Sequence, residues 1–188
     1  MLNLPNTLTL VRILTIPIFL EFLAYHLFWE ALVVFAVGGV TDFLDGFFAR
    51  RMKQQTALGA YLDPVADKLL VVSSFIMLAA IEGIPLWLAV VVVVRDVLIL
   101  VGYGIIYILV DEPLEVRPSW IGKWSTAFQL LTLAVALVLL HDPALLSPQV
   151  LDGFVWVSAL ATVVSGCQYL YRGLVWLQNR APSIGRPG

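Results

Sequence analysis

The sequence predicts an all-α polytopic membrane protein with six transmembrane helices, and two observations predict it. Of its 188 residues, 61% are hydrophobic and 13% charged, at a mean hydropathy of +0.94, whereas charged residues make up about 25% of a soluble domain. The apolar residues also gather into runs of roughly 20, the length that crosses a hydrocarbon core about 30 Å thick. Backbone groups in lipid must be satisfied within their own segment, which selects helices.

Six such runs fall near 8–27, 31–48, 61–81, 86–110, 124–140 and 150–177. The first lacks a basic leading region and is interrupted by Arg12, so it reads as a retained helix rather than a cleavable signal. Ahead of it, residues 2–7 predict a short interfacial helix or turn, punctuated by Pro5 and Asn6. Cations follow the second run (Arg50, Arg51, Lys53), separate the fourth from the fifth (Arg117, Lys123) and close the chain (Arg172, Arg180, Arg186). The opposite connections, 26–30, 82–85 and 141–149, contain no Lys or Arg, which puts both termini in the cytoplasm. With no internal repeat and no long linker, residues 1–180 form one domain and 181–188 a flexible tail.

Several residue types carry no chemistry on this reading. A net charge of −2 with 11 Lys+Arg offers no strongly basic face, so nucleic acid is not an expected partner. Cys167 is alone, makes no intrachain disulfide and reads as a packing residue. Trp87, Trp120, Trp124, Trp156 and Trp176 read as anchors at the membrane surfaces. His26 and His141 lie in cation-free connections, away from the acidic cluster.

That cluster is the chemical signal. An ionisable residue inside a membrane helix costs roughly 2.5 to 3.5 kcal/mol on insertion scales and needs a partner or a polar cavity. Asp42 and Asp45, three apart near the end of the second helix, share a face; Asp63 and Asp67, four apart at the start of the third, share another. The short connection lets the two faces converge, on the side where water-soluble nucleotides and metal ions are available. Converging carboxylates repel and take up protons unless cations lie between them. Oxygen ligands without His or Cys suit Mg2+, Mn2+ or Ca2+ rather than zinc, and a carboxylate-bridged ion pair suits phosphoryl chemistry. Gly46, Ala49 and Gly59 leave room for a flat base or a diphosphate to approach the backbone, and Arg50 offers a fork suited to phosphate oxygens.

Together these residues read DFLDGFFAR, eight residues, then GAYLDPVAD. The segment fits DxxDGxxAR, eight residues, GxxxDxxxD at every specified position, and so resembles the signature of the CDP-alcohol phosphotransferase family. LPNTLTLVRI near the start and PSWIGKWST ahead of helix five resemble the corresponding stretches of bacterial phospholipid synthases, which extends the likeness over most of the chain. The resemblance implies a homodimeric six-helix enzyme of the bacterial inner membrane, acting on CDP-diacylglycerol among membrane lipids. It further implies two divalent ions, Mg2+ or Mn2+, on Asp42, Asp45, Asp63 and Asp67, with Asp67 also the general base. By the same likeness Asp42, Asp45, Gly46, Ala49, Arg50 and Gly59 hold the CDP moiety.

Arg12, Arg95, Arg117 and Lys123 are candidate contacts for acceptor or lipid phosphate, set against snorkelling, headgroup binding or pairing with an acid such as Asp96. Synthases that use glycerol 3-phosphate usually carry Arg-Glu in helix four and a second arginine eight residues later. Here Arg95 is followed by Asp96, and position 103 is Tyr103. RDVLIL and ATVVSGCQYLYRG instead resemble the cardiolipin synthases that use CDP-diacylglycerol, so phosphatidylglycerol ranks ahead of glycerol 3-phosphate as acceptor. Structural ion pairing fails to account for four acids beside Arg50 and Arg51. A cation transporter with an acidic intramembrane site requires neither the small residues nor the arginine at these spacings.

Overall fold

Each apolar run becomes one helix: α1 (Leu4–Ala24), α2 (Phe28–Met52), α3 (Ala57–Ala80), α4 (Leu86–Val110), α5 (Trp120–His141) and α6 (Pro148–Ile184). The computed structural model describes the backbone of residues 4–52, 57–110 and 119–184, and the side chains of 13–41, 68–102, 119–175 and 178. Trp120–His141 and the Pro148–Val175 stretch of α6 are each long and apolar enough to cross a membrane.

Two boundaries differ from the sequence reading. From Leu4 onward the chain is already α1, so Pro5 and Asn6 sit in its first turn instead of ending a separate interfacial element. Proline is tolerated there because the first N–H groups of a helix have no intrahelical partner. At the other end α6 runs through Ala181 to Ile184, past the predicted start of the tail. Loss of apolar character marks where a span ends, whereas a helix already nucleated extends by one hydrogen bond per residue.

Two of the three cation-free connections, 26–30 and 82–85, are tight and built alike. His26 has φ 58° and Glu82 φ 60°, each just past a helix end. Leu27 N–H donates to the Phe22 carbonyl and Gly83 N–H to the Leu78 carbonyl, both at 2.8 Å, while His26 and Glu82 donate to the carbonyls of Leu23 and Ala79 at 3.1 and 3.2 Å. This is the paired-bond ending that normally places glycine in the left-handed position. Gly83, one residue on, is needed for space: a Cβ there would meet Leu140 Cδ1 at 2.8 Å.

Helix α5 packs most extensively on α6; α1 lies against α2 and α3; α4 against α3 and α6; and α5 also meets α2 and α3. The apolar core fills the half nearest those tight turns, with Phe19 and Leu23 from α1, Phe75 and Leu78 from α3, Leu88 and Val92 from α4, and Leu133 and Leu137 from α5. The outside is apolar too. Val90, Val94, Val97 and Val101 form an exposed stripe along α4, as Trp156, Leu160, Val163 and Val164 do along α6, in keeping with a lipid solvent and at odds with the small patches of soluble monomers. Cys167 is exposed on α6 rather than packed, since it lies off the face, marked by Ser158, Thr162 and Ser165, that α6 buries.

Candidate active site

The signature lies on two consecutive helices, as its spacing requires. Asp42, Asp45, Gly46, Ala49 and Arg50 are in the C-terminal half of α2, and Gly59, Asp63 and Asp67 in the N-terminal half of α3. Both helices are continuous through these positions, so the three- and four-residue spacings put each aspartate pair on one face. Helices α2 and α3 also share two neighbours, α1 and α5. The side chains of these eight residues lie outside the described residues, as do those of Arg12 and Tyr103 and the whole of Arg117. Among the described residues no three His, Cys, Asp or Glu side chains gather to hold a metal ion.

Of the candidate phosphate contacts among the described residues, Arg95 and Lys123, it is Arg95 that is drawn into the bundle. It is 6% exposed and Asp96 2%. Arg95 Nη1 donates to Asp96 Oδ1 at 2.6 Å and Nη2 to Ser165 Oγ on α6 at 2.6 Å, with the guanidinium 5.8 Å from the Tyr169 ring centroid. Two glycines lie beside it: a Cβ on Gly166 would stand 3.4 Å from Arg95 Cγ, and one on Gly122 3.5 Å from Nη2, both ordinary contact distances. Arg95 thus pairs with its neighbouring acid, the alternative that the sequence left open, and keeps one buried N–H, at Nε, without a partner.

The same Asp96 oxygen takes a second cation, Lys68 of α3, whose Nζ lies 2.6 Å away. Sequence reasoning passed over Lys68, although a cation directly after Asp67 in an apolar stretch is the kind of residue that needs a partner. Lys123, by contrast, is exposed at the start of α5, with Nζ 5.1 Å from the ring centroid of Trp120, itself 77% exposed. That is the arrangement of a cation and an indole at a membrane surface. Ser119 caps α5 below them, accepting from Gly122 N–H at 3.0 Å.

A different polar arrangement joins α5 to α6. Ser125, Gln129 and Thr132 recur along one face of α5, and Ser158, Thr162 and Ser165 with the same spacing along α6, all buried. Ser125 and Thr162 hydroxyls are 3.2 Å apart, Gln129 Nε2 donates to Thr162 Oγ1 at 2.9 Å, and Thr132 Oγ1 donates to the Phe154 carbonyl of α6 at 3.3 Å. Such neutral pairs hold membrane helices together without burying charge.

A membrane-type bundle carrying this two-helix signature defines a class, and comparison with known proteins gives the same one: the pattern of the CDP-alcohol phosphatidyltransferase family matches residues 2–165, and the chain belongs to that family. It is a phosphatidyltransferase of phospholipid biosynthesis, in a family generally dependent on divalent metal. Among its relatives is the CDP-diacylglycerol–glycerol-3-phosphate 3-phosphatidyltransferase of Bacillus subtilis (strain 168), 33% identical over 186 residues, covering 90% of this chain and 94% of that protein. The enzyme of the same name from Pseudomonas fluorescens is 37% identical over 178 residues, covering 90% and 89%. The cardiolipin synthase (CMP-forming) of Streptomyces coelicolor is 37% identical over 169 residues, covering 86% of this chain and 72% of that protein.

Proposed function

We propose that this chain is an integral enzyme of the bacterial inner membrane, its six helices spanning the bilayer and its termini and active site on the cytoplasmic side. It moves the phosphatidyl group of CDP-diacylglycerol to a hydroxyl of phosphatidylglycerol, with release of CMP. It works as a homodimer, with residues 1–180 as the enzymatic domain.

Asp42, Asp45, Asp63 and Asp67 have the hard oxygen donors that Mg2+ or Mn2+ prefers, on two helix faces joined by a short connection. A pair of such ions, when bound, supplies Lewis-acid charge to the diphosphate. Gly46, Ala49 and Gly59 keep the backbone approachable to the CDP moiety, and Arg50 binds its phosphate oxygens. Asp67 accepts the proton of the acceptor hydroxyl, whose oxygen forms a new bond to the phosphatidyl phosphorus. The bond from that phosphorus to the anhydride oxygen breaks in line, and the electron pair leaves with CMP. No covalent enzyme intermediate is required.

The observation that carries the choice of acceptor is the state of Arg95. The buried Asp96 carboxylate already offsets its charge, and two of its five N–H groups are committed to Asp96 and Ser165. That leaves little for a phosphomonoester dianion such as glycerol 3-phosphate and suits the single charge of phosphatidylglycerol. Glycerol 3-phosphate is the second reading, favoured by relatives named for that acceptor that match this chain over about nine-tenths of their length. Radiolabelled CDP-diacylglycerol with each acceptor alone separates the two. Cardiolipin formed from phosphatidylglycerol supports the first; phosphatidylglycerolphosphate formed only with glycerol 3-phosphate supports the second.

A further inference from the structure

We propose that the outward face of α5 is a docking site for an anionic phospholipid, with the lipid's phosphate on Lys123 and its acyl chains along Trp124, Phe128 and Leu131. The proposal requires that α5, which is long and apolar enough to do so, crosses a bilayer; it does not depend on the reaction assigned above.

The face follows from the helix. Trp120, Lys123, Trp124, Phe128 and Leu131 fall at the three- and four-residue spacings that share one side, opposite the buried Ser125, Gln129 and Leu133 by which α5 joins the bundle. Trp120 is 77% exposed, Trp124 60% and Leu131 47%. The Trp124 and Phe128 rings continue one another along the helix, with centroids 6.0 Å apart.

Charge selects the headgroup. Lys123 Nζ lies 5.1 Å from the Trp120 ring centroid, within the range of a cation–π contact. The ion pairs among the described residues, Lys68–Asp96 and Arg95–Asp96, do not involve it. An acid beside Lys123 would cancel its charge, whereas an indole face holds the ammonium and leaves its N–H groups for phosphate oxygens. A zwitterionic lipid gains little from that cation; a net negative one is drawn to it.

Length selects a lipid over a free anion. From Trp120 to Leu131 the face rises about 16 Å at the α-helical repeat, close to half of a hydrocarbon core about 30 Å thick. The face therefore carries a cation and an indole at one end and apolar side chains over the depth of one leaflet, which is the polarity profile of a phospholipid. A free phosphate would use the first turn alone.

The test is quenching of tryptophan emission by acyl-brominated lipids, with the protein in phosphatidylcholine vesicles and without CDP-diacylglycerol. The probe is brominated phosphatidylserine, which is anionic but has no hydroxyl to accept a phosphatidyl group, so the acceptor site is not read; brominated phosphatidylcholine is the comparison. The Trp120 and Trp124 signal is the difference between each protein and the same protein carrying Trp120→Phe and Trp124→Phe. Phosphatidylserine is expected to quench that signal at about fivefold lower mole fraction than phosphatidylcholine, the fold-change of one Lys at an anionic surface. Lys123→Gln, folded by circular dichroism, is expected to abolish the preference and Lys123→Arg to keep it. Equal quenching by the two lipids in wild type or in Lys123→Arg, or a preference that survives in Lys123→Gln, would overturn the proposal. Relief of the quenching by inorganic phosphate would assign the cation to a free anion and overturn it equally. Each of these outcomes leaves the phosphatidyltransfer reading in place, and failure of that reading leaves the docking site in place.

Discussion

The two halves of this bundle solve the problem of polarity in a membrane differently. Toward the cation-free turns the helices meet through Phe19, Phe75, Leu78, Leu88 and Leu137, with hydroxyl and amide pairs such as Ser125–Thr162 and Gln129–Thr162 along the α5–α6 seam. Toward the opposite end the chain carries full charges: the signature acids and Arg50 in sequence, and Lys68, Arg95 and Asp96. Neutral polar pairs give helices register at little cost, whereas charges are costly to bury and are kept where chemistry uses them. On the proposed function the first half is scaffold and the second is site, and substitutions should separate them.

The largest effect falls on the site. Asp67→Asn should lower CMP release by at least about 10²-fold, the lower end for a general base, with little change in thermal unfolding; near-normal turnover would remove Asp67 from that role. Next is the charged support. Arg95→Met leaves Ser165 without its donor and Asp96 with one cation, and should destabilise the protein by about 3 kcal/mol, read as a lower Tm in detergent. In the seam, Gln129→Leu should cost only about 1 kcal/mol, because Gln129 Oε1 already lacks a partner, and should leave turnover intact. A loss comparable to that of Arg95→Met would erase the distinction between the halves. The smallest effect belongs to the turns: Glu82→Gly should raise stability by about 0.5 to 1 kcal/mol, since Glu82 holds a left-handed φ of 60° that costs a residue with a Cβ roughly 1 to 2 kcal/mol, partly offset by the greater backbone entropy glycine loses on folding.

Much of this was legible in the sequence, because the bilayer imposes strong patterns on a chain. Runs of about 20 apolar residues correspond to the six helices, while the tally of cations carries the proposed orientation. The signature is local, confined to one helical hairpin, so its spacing could be read directly; Asp42 and Asp45, and likewise Asp63 and Asp67, fall on single continuous helices. What sequence missed was tertiary. Lys68 meets Asp96 across 28 positions, and Arg95 meets Ser165 across 70, and no periodicity encodes which helices become neighbours. Helix ends differ for another reason: Pro5 and Ala181 mark changes in composition, yet a helix accepts proline in its first turn and extends past an apolar run by one hydrogen bond per residue. Cys167 was assigned to packing by its apolar surroundings, a poor guide where the outside of the protein is as apolar as the inside.

The central claim is that this bundle transfers a phosphatidyl group, and the most direct measurement is the stoichiometry of CMP to new phospholipid. Purified protein in mixed micelles would receive CDP-diacylglycerol, Mg2+ and phosphatidylglycerol. The account predicts one CMP for each cardiolipin formed, no release without acceptor, and arrest by a chelator that excess Mg2+ reverses. Folded protein that releases no CMP with phosphatidylglycerol, glycerol 3-phosphate or any other alcohol would contradict it.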